Sequence, residues 1–351
     1  MTAPIPVILV TGFLGTGKTT LINSILQSSK FAGTAVLVNE IGEISLDHHL
    51  IEGINDDMIS TTTGCMCCTA SSDVQKALFE LWRRRIRREI PSFSRVIIET
   101  TGLVDPAPVI ASLLSPPGGD LIQNTVITQF VLSRVVTLFD ILHGNNTLKY
   151  HPEALKQIAL ADTIIFTKSD LAFDTKINID FENIKSTITK LNSCVEILSK
   201  HQDWDFLQST LLSPVTYDLR GKKEDALSWL KMDQHWNKEK YHYKHKHRDH
   251  NHHSRDIMSH CIILENAITP LMFNLFLDAL KVIAGKDLLR MKGLFKLTDD
   301  PERPFVAHGV QNIIHPIDRL ERWPSEDRRT RIILIGKNLR VNSIRTVLNA
   351  S

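Results

Sequence analysis

Ile5-Pro6-Val7-Ile8-Leu9-Val10-Thr11-Gly12-Phe13-Leu14-Gly15-Thr16-Gly17-Lys18-Thr19-Thr20 passes from an apolar run, through a glycine-punctuated turn, to the start of a helical pattern. The run from Ile5 to Val10 reads as a buried strand. Gly12 to Thr19 fits the spacing G-x-x-x-x-G-K-[ST], and Leu21, Ile22, Ile25 and Leu26 then share one helix face. This order has a physical purpose. Glycines let consecutive backbone N–H groups curl around phosphate oxygens, and a helix beginning there adds its positive end to the same place. Gly12, Gly15, Thr16, Gly17 and Thr20 are therefore candidate phosphate-cradling positions. Lys18 is expected to reach the β- and γ-phosphates, and the Thr19 hydroxyl to ligate Mg²⁺.

Working outward, short apolar runs alternate with helix-patterned stretches up to about Leu212: Ala35–Val38, Val96–Ile98, Val135–Phe139, Thr163–Phe166 and Val195–Leu198. Such alternation predicts an α/β domain with a mostly parallel sheet covered by helices, its functional loops at the strand C-termini. Gly12, Asn39-Glu40, Glu99, Asp140 and Thr167-Lys168 stand at those ends. Arg95-Val96-Ile97-Ile98-Glu99-Thr100-Thr101-Gly102 places a carboxylate there for the Mg²⁺ shell, with the Gly102 N–H available to a γ-phosphate. Lys18, Thr19 and Glu99 are the candidate catalytic group. Thr167-Lys168-Ser169-Asp170 is a variant of the N-K-x-D guanine signature. The two adjacent donors of guanine match one ionised Asp170 carboxylate, and the Lys168 stem can lie flat on the base. GTP is expected over ATP, an ATP-using kinase being the rival.

Cys65-Met66-Cys67-Cys68 holds three of the five cysteines, between the phosphate loop and Glu99. Three thiols in four residues serve no packing purpose and suit Zn²⁺ or another borderline ion. Glu40 and Glu43 are candidate completing carboxylates. Ser72 with Gln75 reads as a capping box opening the next helix. In that helix Val74, Leu78, Trp82, Ile86 and Ile90 form an apolar stripe, so the arginines of the Trp82–Arg88 run face solvent rather than nucleic acid.

At 351 residues the chain is long enough for two domains, and a formal charge of +2 gives no general attraction to nucleic acid or anionic membrane. No apolar run approaches membrane-spanning length, and the first strand runs straight into the glycine loop, so neither an anchor nor a secretion signal is expected. Reduced, clustered thiols point to the cytoplasm. Lys238 to Asp256 has no aliphatic residue and reads as a linker. Its six histidines, His242, His245, His247, His250, His252 and His253, form a candidate loose metal-collecting string. Beyond it, Ser259–Leu264, Leu288–Leu297, Phe305–Val310 and Arg331–Ile335 read as strands, Leu271–Ile283 and Val341–Asn349 as helices. The expected division is a nucleotide domain over 1–220, a His-rich linker over 221–256 and a smaller α+β domain over 257–351.

Gly12–Thr20, Val38–Glu43, Gly64–Cys68, Glu99–Pro106 and Thr167–Leu171 together closely resemble the CobW-like P-loop GTPases, relatives of the urease- and hydrogenase-maturation GTPases. Leu288–Gly293 and Gly309–Gln311 resemble that family's small second domain. The resemblance implies slow GTP hydrolysis coupled to handling Zn²⁺ or Co²⁺, and transfer of the ion to a client metalloprotein. By position it implies Cys65, Cys67 and Cys68 as ligands of the transferred ion, with Glu43 the foremost carboxylate. A nucleotide-gated metal sensor and a GTPase switched by a disulfide at Cys65 or Cys67 stay open as alternatives. No residue declares itself as the water-orienting group, so hydrolysis is expected to draw on a homodimer, the metal or the client.

Overall fold

The computed structural model describes residues 4–38, 59–62, 70–115, 119–174, 180–199, 204–213, 257–311, 313–314 and 318–349. Two compact units emerge: Met1–Ile184 with Glu196–Asp218, and Lys185–Val195 with Leu219–Ser351.

The first unit is built on a seven-stranded sheet. Its strands are β1 (Ile5–Gly12), β2 (Thr34–Val38), β3 (Ile59–Thr62), β4 (Arg95–Glu99), β5 (Phe130–Asp140), β6 (Thr163–Thr167) and β7 (Glu196–Ser199). Their order is β3-β2-β4-β1-β5-β6-β7, and every pairing is parallel. The β1 strand is therefore central, between β4 and β5. Register brings Val10 beside Glu99, Gly12 beside Leu138, and Asp140 beside Thr167. The polar strand ends thus share one sheet edge, the crevice where open α/β sheets bind ligands.

Strand alternation sorts β1 between two layers. Ile8 and Val10 pack with Leu21, Ile22 and Ile25 of helix α1 (Lys18–Leu26). Leu207 and Leu211, from the helix Trp204–Leu212, join the same cluster. The opposite face meets the helices Ala107–Leu114 and Pro152–Leu160. There the Thr137 hydroxyl donates to the Gln157 carbonyl at 2.9 Å. Buried Arg134 laces the far half of the sheet, donating to Thr163 Oγ1 at 2.6 Å, Glu196 at 3.3 Å and the Ser213 carbonyl at 2.9 Å.

Two sequence expectations fail locally. The helix Ala70–Ile86 starts before Ser72, so Ser72 and Gln75 form no capping box at its entrance. Gln75 donates to the Ser112 carbonyl of a neighbouring helix at 2.8 Å. Val74, Leu78 and Leu81 are buried as the stripe requires, but Ile86 is 59% exposed because the helix ends there. The arginines engage local partners, Arg83 with Glu80 at 2.9 Å and Arg85 over the Phe93 ring at 5.1 Å.

The second unit carries an antiparallel sheet in which, in spatial order, Ile313–Ile314, Phe305–Val310, Leu288–Phe295, Thr330–Lys337 and Ile257–Leu264 are neighbours, with β12 (Asp318–Arg319) beside Phe305–Val310. Its long strands are β8 (Ile257–Leu264), β9 (Leu288–Phe295), β10 (Phe305–Val310) and β13 (Thr330–Lys337); β11 is Ile313–Ile314. Ile262, Met291, Phe295, Ile332 and Leu334 face Phe273, Phe276 and Leu280 of the helix Pro270–Ile283, and Ile344 and Leu348 of Val341–Asn349. Neither Cys194 nor Cys261 is joined in a disulfide among the described residues. Although Cys261 reaches the surface, burial of its sulfur, with Cys194 nearby, pushes its pKa up to about 12, so it stays protonated at neutral pH.

Candidate functional site

The loop between β1 and α1 has the conformation its glycines permit. Gly12, Gly15 and Gly17 all have positive φ, at 139°, 71° and 86°. At Gly12 space is equally decisive, because a Cβ would lie 2.6 Å from the Leu138 carbonyl. Thr16 closes the turn, its hydroxyl donating to the Phe13 carbonyl at 2.8 Å. Gly17 precedes the first turn of α1 and supplies no side-chain cap. The first-turn N–H groups of Lys18, Thr19 and Thr20 are therefore left to an outside acceptor, which the helix dipole favours as an anion.

Lys18 is buried and folds back over the loop, its Nζ donating to the carbonyls of Gly12 at 2.9 Å and Phe13 at 3.2 Å. Burial lowers its pKa, and the Glu99 carboxylate acts in the opposite direction. An ammonium with this little water is a strong electrostatic partner for a phosphate. Thr19 Oγ1 donates to Glu99 Oε1 at 2.9 Å, uniting groups 80 positions apart. A hydroxyl and a carboxylate held together are hard oxygen donors, a set that fits Mg²⁺. Behind them the Thr100 hydroxyl donates to Thr11 Oγ1 at 2.9 Å, tying β4 to β1. Gly102 lies directly on the loop: a Cβ there would be 2.5 Å from the Leu14 nitrogen.

The guanine-signature residues divide. Thr167 donates to the Thr16 carbonyl at 2.9 Å and the Phe139 carbonyl at 3.3 Å, joining this strand end to the phosphate loop. Lys168 adopts φ 62°, a left-handed backbone uncommon for a residue with a side chain. Its Nζ meets Asp140 Oδ2 at 2.7 Å. Asp140 is itself fixed, Oδ1 accepting from the Leu142 N–H at 2.9 Å and the His143 N–H at 3.3 Å. Asp170 is exposed in the first turn of the helix Ser169–Asp174. A cleft of about 200 Å³ opens beside the loop, with Phe13, Thr16, Asp140, His143, Gln157 and Lys168 in its wall. It lies to one side of the Lys18, Thr19 and Glu99 group.

Glu40, Glu43, Cys65, Cys67, Cys68, His242, His245, His247, His250, His252 and His253 lie outside the described residues. Among the described residues no three metal-capable side chains gather, and no helix is long and apolar enough to cross a membrane. Sequence reading missed the anchoring of Lys168 by Asp140 and the bonds that Gln157 Nε2 donates to the carbonyls of Gly102 and Val104. The first was recoverable, since Asp140 ends the strand that precedes the Lys168 strand in a parallel sheet.

Central strand, glycine loop, uncapped helix start and a strand-end carboxylate on the neighbouring strand define a P-loop nucleotide-binding domain. Residues 6–199 match the description "CobW/HypB/UreG, nucleotide-binding domain", and residues 257–351 match "Cobalamin synthesis protein cobW C-terminal domain". The chain belongs to the CobW/HypB/UreG family. It is 28% identical over 343 residues to the zinc chaperone YjiA of Escherichia coli, covering 97% of both chains. It is 27% identical over 370 residues to zinc-regulated GTPase metalloprotein activator 1 of Schizosaccharomyces pombe, covering 96% of this chain and 83% of that one. The crystal structure of Zn(II)-bound YjiA GTPase from E. coli superposes with a TM-score of 0.71, covering 99% of each chain at 24% identity. The fold is shared over its whole length.

Proposed function

We propose that the chain is a GTP-hydrolysing metal chaperone that carries Zn²⁺, with Co²⁺ as a second candidate, and passes it to a client metalloprotein. The observation that carries the nucleotide half is the convergence of Lys18, Thr19 and Glu99 at the end of the central strands, with Thr19 Oγ1 2.9 Å from Glu99 Oε1. In this reading Gly12, Gly15, Thr16, Gly17 and the start of α1 cradle phosphates. Thr19 and Glu99 would hold Mg²⁺, which when bound neutralises charge on the β- and γ-phosphates. Gly102 receives the γ-phosphate, while Thr167, Lys168 and Asp170 read guanine.

The metal half rests on sequence and relationship: Cys65, Cys67 and Cys68 stand between the phosphate loop and Glu99, and two relatives are named for zinc. Glu43 and Glu40 are the proposed carboxylates, and the histidines from His242 to His253 a looser store. The same reading assigns residues 1–220 to nucleotide, 221–256 to the His-rich connector and 257–351 to the second domain, in a cytoplasmic protein able to act as a homodimer. Energetics then require the client. A structural Zn²⁺ site is worth roughly 10–16 kcal/mol, while coupling between sites is about 1–3 kcal/mol. Hydrolysis loosens the ion; competing ligands on the client remove it.

The test is Zn²⁺ affinity by chelator competition, with a non-hydrolysable GTP analogue and with GDP. Affinities differing by about tenfold support coupling, and C65A, C67A and C68A together should remove the tight, nucleotide-responsive ion and leave only the weak binding assigned to the histidines. Equal affinities in the two nucleotide states would refute it.

A further inference from the structure

The loop that follows β4 is held by a helix carrying none of the phosphate-binding residues. Gln157, 1% exposed, lies on the helix Pro152–Leu160. Its Nε2 donates to the carbonyls of Gly102 at 3.1 Å and Val104 at 3.2 Å. Gln157 is steadied from behind, its own carbonyl accepting the Thr137 hydroxyl of β5 at 2.9 Å. One residue earlier, Lys156 Nζ meets Asp105 Oδ2 at 2.6 Å. Asp105 Oδ1 in turn accepts from the Ala107 N–H at 2.9 Å. The segment from Gly102 to Ala107 is thereby pinned to this helix, while Gly102 itself presses on Leu14 of the phosphate loop.

A primary amide is a demanding choice for so buried a position. An apolar side chain of the same length would fill the space, yet would withdraw a donor from two main-chain oxygens. What the amide adds is a fixed orientation of the two peptide planes that carry the Gly102 and Val104 carbonyls, those that follow Gly102 and Val104. We infer that Gln157 is a positioning residue for the γ-phosphate response: it holds Gly102 against the phosphate loop in the orientation a triphosphate requires. This rests on the assignment of Gly102 to the γ-phosphate. The same helix leads through Asp162 directly into β6, whose end carries Thr167 and Lys168, so the tie joins the phosphate and base sides of the site. A nucleoside diphosphate has no γ-phosphate and makes no demand on this arrangement.

The experiment compares equilibrium binding of GDP and a non-hydrolysable GTP analogue, with Mg²⁺, to full-length wild type, Q157M and T137V. The ratio of analogue to GDP affinity should fall about tenfold in Q157M. T137V, which removes only the rear support and keeps the packing volume, should lower the ratio in the same direction by less, and it serves if Q157M does not fold. A ratio within about twofold of wild type overturns the inference, because a merely structural residue would weaken both nucleotides together. Wild type that binds neither nucleotide overturns the underlying site assignment as well. Wild type that discriminates while the variants keep its ratio overturns only the role of Gln157.

Discussion

Gly102→Ala is the sharpest perturbation the site offers. The added Cβ would stand 2.5 Å from the Leu14 nitrogen, 2.7 Å from its Cα and 2.8 Å from its Cδ2. Ordinary contact begins near 3.4 Å, so the shortfall against the nitrogen is 0.9 Å. The nearest two atoms are main chain, and no rotamer change relieves them. The Gly102 side cannot simply retreat, because its carbonyl and that of Val104 are held by Gln157. One of the two loops must shift at a cost of about 1–3 kcal/mol, the range for overpacked interiors. For a unit of this size that corresponds to a melting temperature lower by roughly 2–10 °C. The displaced atoms lie on the expected γ-phosphate side, so the GTP analogue should lose more affinity than GDP. Calorimetric melting and fluorescence titration of both nucleotides read these effects. Adding Leu14→Ala supplies the control: it removes Cδ2 but neither the nitrogen nor Cα, so it should not rescue the variant. Wild-type melting and wild-type affinities in Gly102→Ala, or full rescue by Leu14→Ala, would refute the close approach.

Two further outcomes are expected. Asp140→Asn removes the ion pair to the Lys168 side chain, and GDP affinity should fall about fivefold, near 1 kcal/mol, in competition titrations; an unchanged affinity would mean that Lys168 needs no anchor. In the second unit, hydrogen bonds from Arg329, then the nearby Arg331 charge, hold the Asp327 carboxyl below its ordinary 3.8. A carboxyl depressed on folding stabilises fully above its unfolded pKa, and that contribution disappears as pH falls through the folded value. Asp327→Asn should therefore be the less stable at neutral pH, by about 0.5–1 kcal/mol after solvent screening of this partly exposed pair, and the gap should begin to close as pH falls below 3.8. A gap that persists in acid would exclude the ion pairs as its source.

Most of the nucleotide-binding architecture was legible in the sequence because its signals are consecutive. Glycines at Gly12, Gly15 and Gly17 prescribe a turn that few other residues can form, and the apolar run before them has only one use in a parallel sheet. Strand-end positions could be read the same way, since β4 stops at Glu99 and β5 at Asp140 where the apolar run gives out. The capping-box reading at Ser72 failed for the opposite reason. A four-residue motif states a local preference, and the helix begins at Ala70, which leaves Ser72 inside it rather than at its cap.

What the chain's order of residues determined was the presence of a phosphate loop, the identity of its lysine and threonine, and the candidate guanine and metal ligands, all carried by short-range spacing. What only the tertiary structure decided was which of these support one another. Thr19 meets Glu99 across 80 positions, Lys168 meets Asp140 across 28, and Gln157 meets Gly102 across 55. Those partnerships follow from β1 lying between β4 and β5 and from the helix that packs over them. Strand order is set by burial of whole faces, a sum over many side chains, and no local stretch of sequence contains that sum.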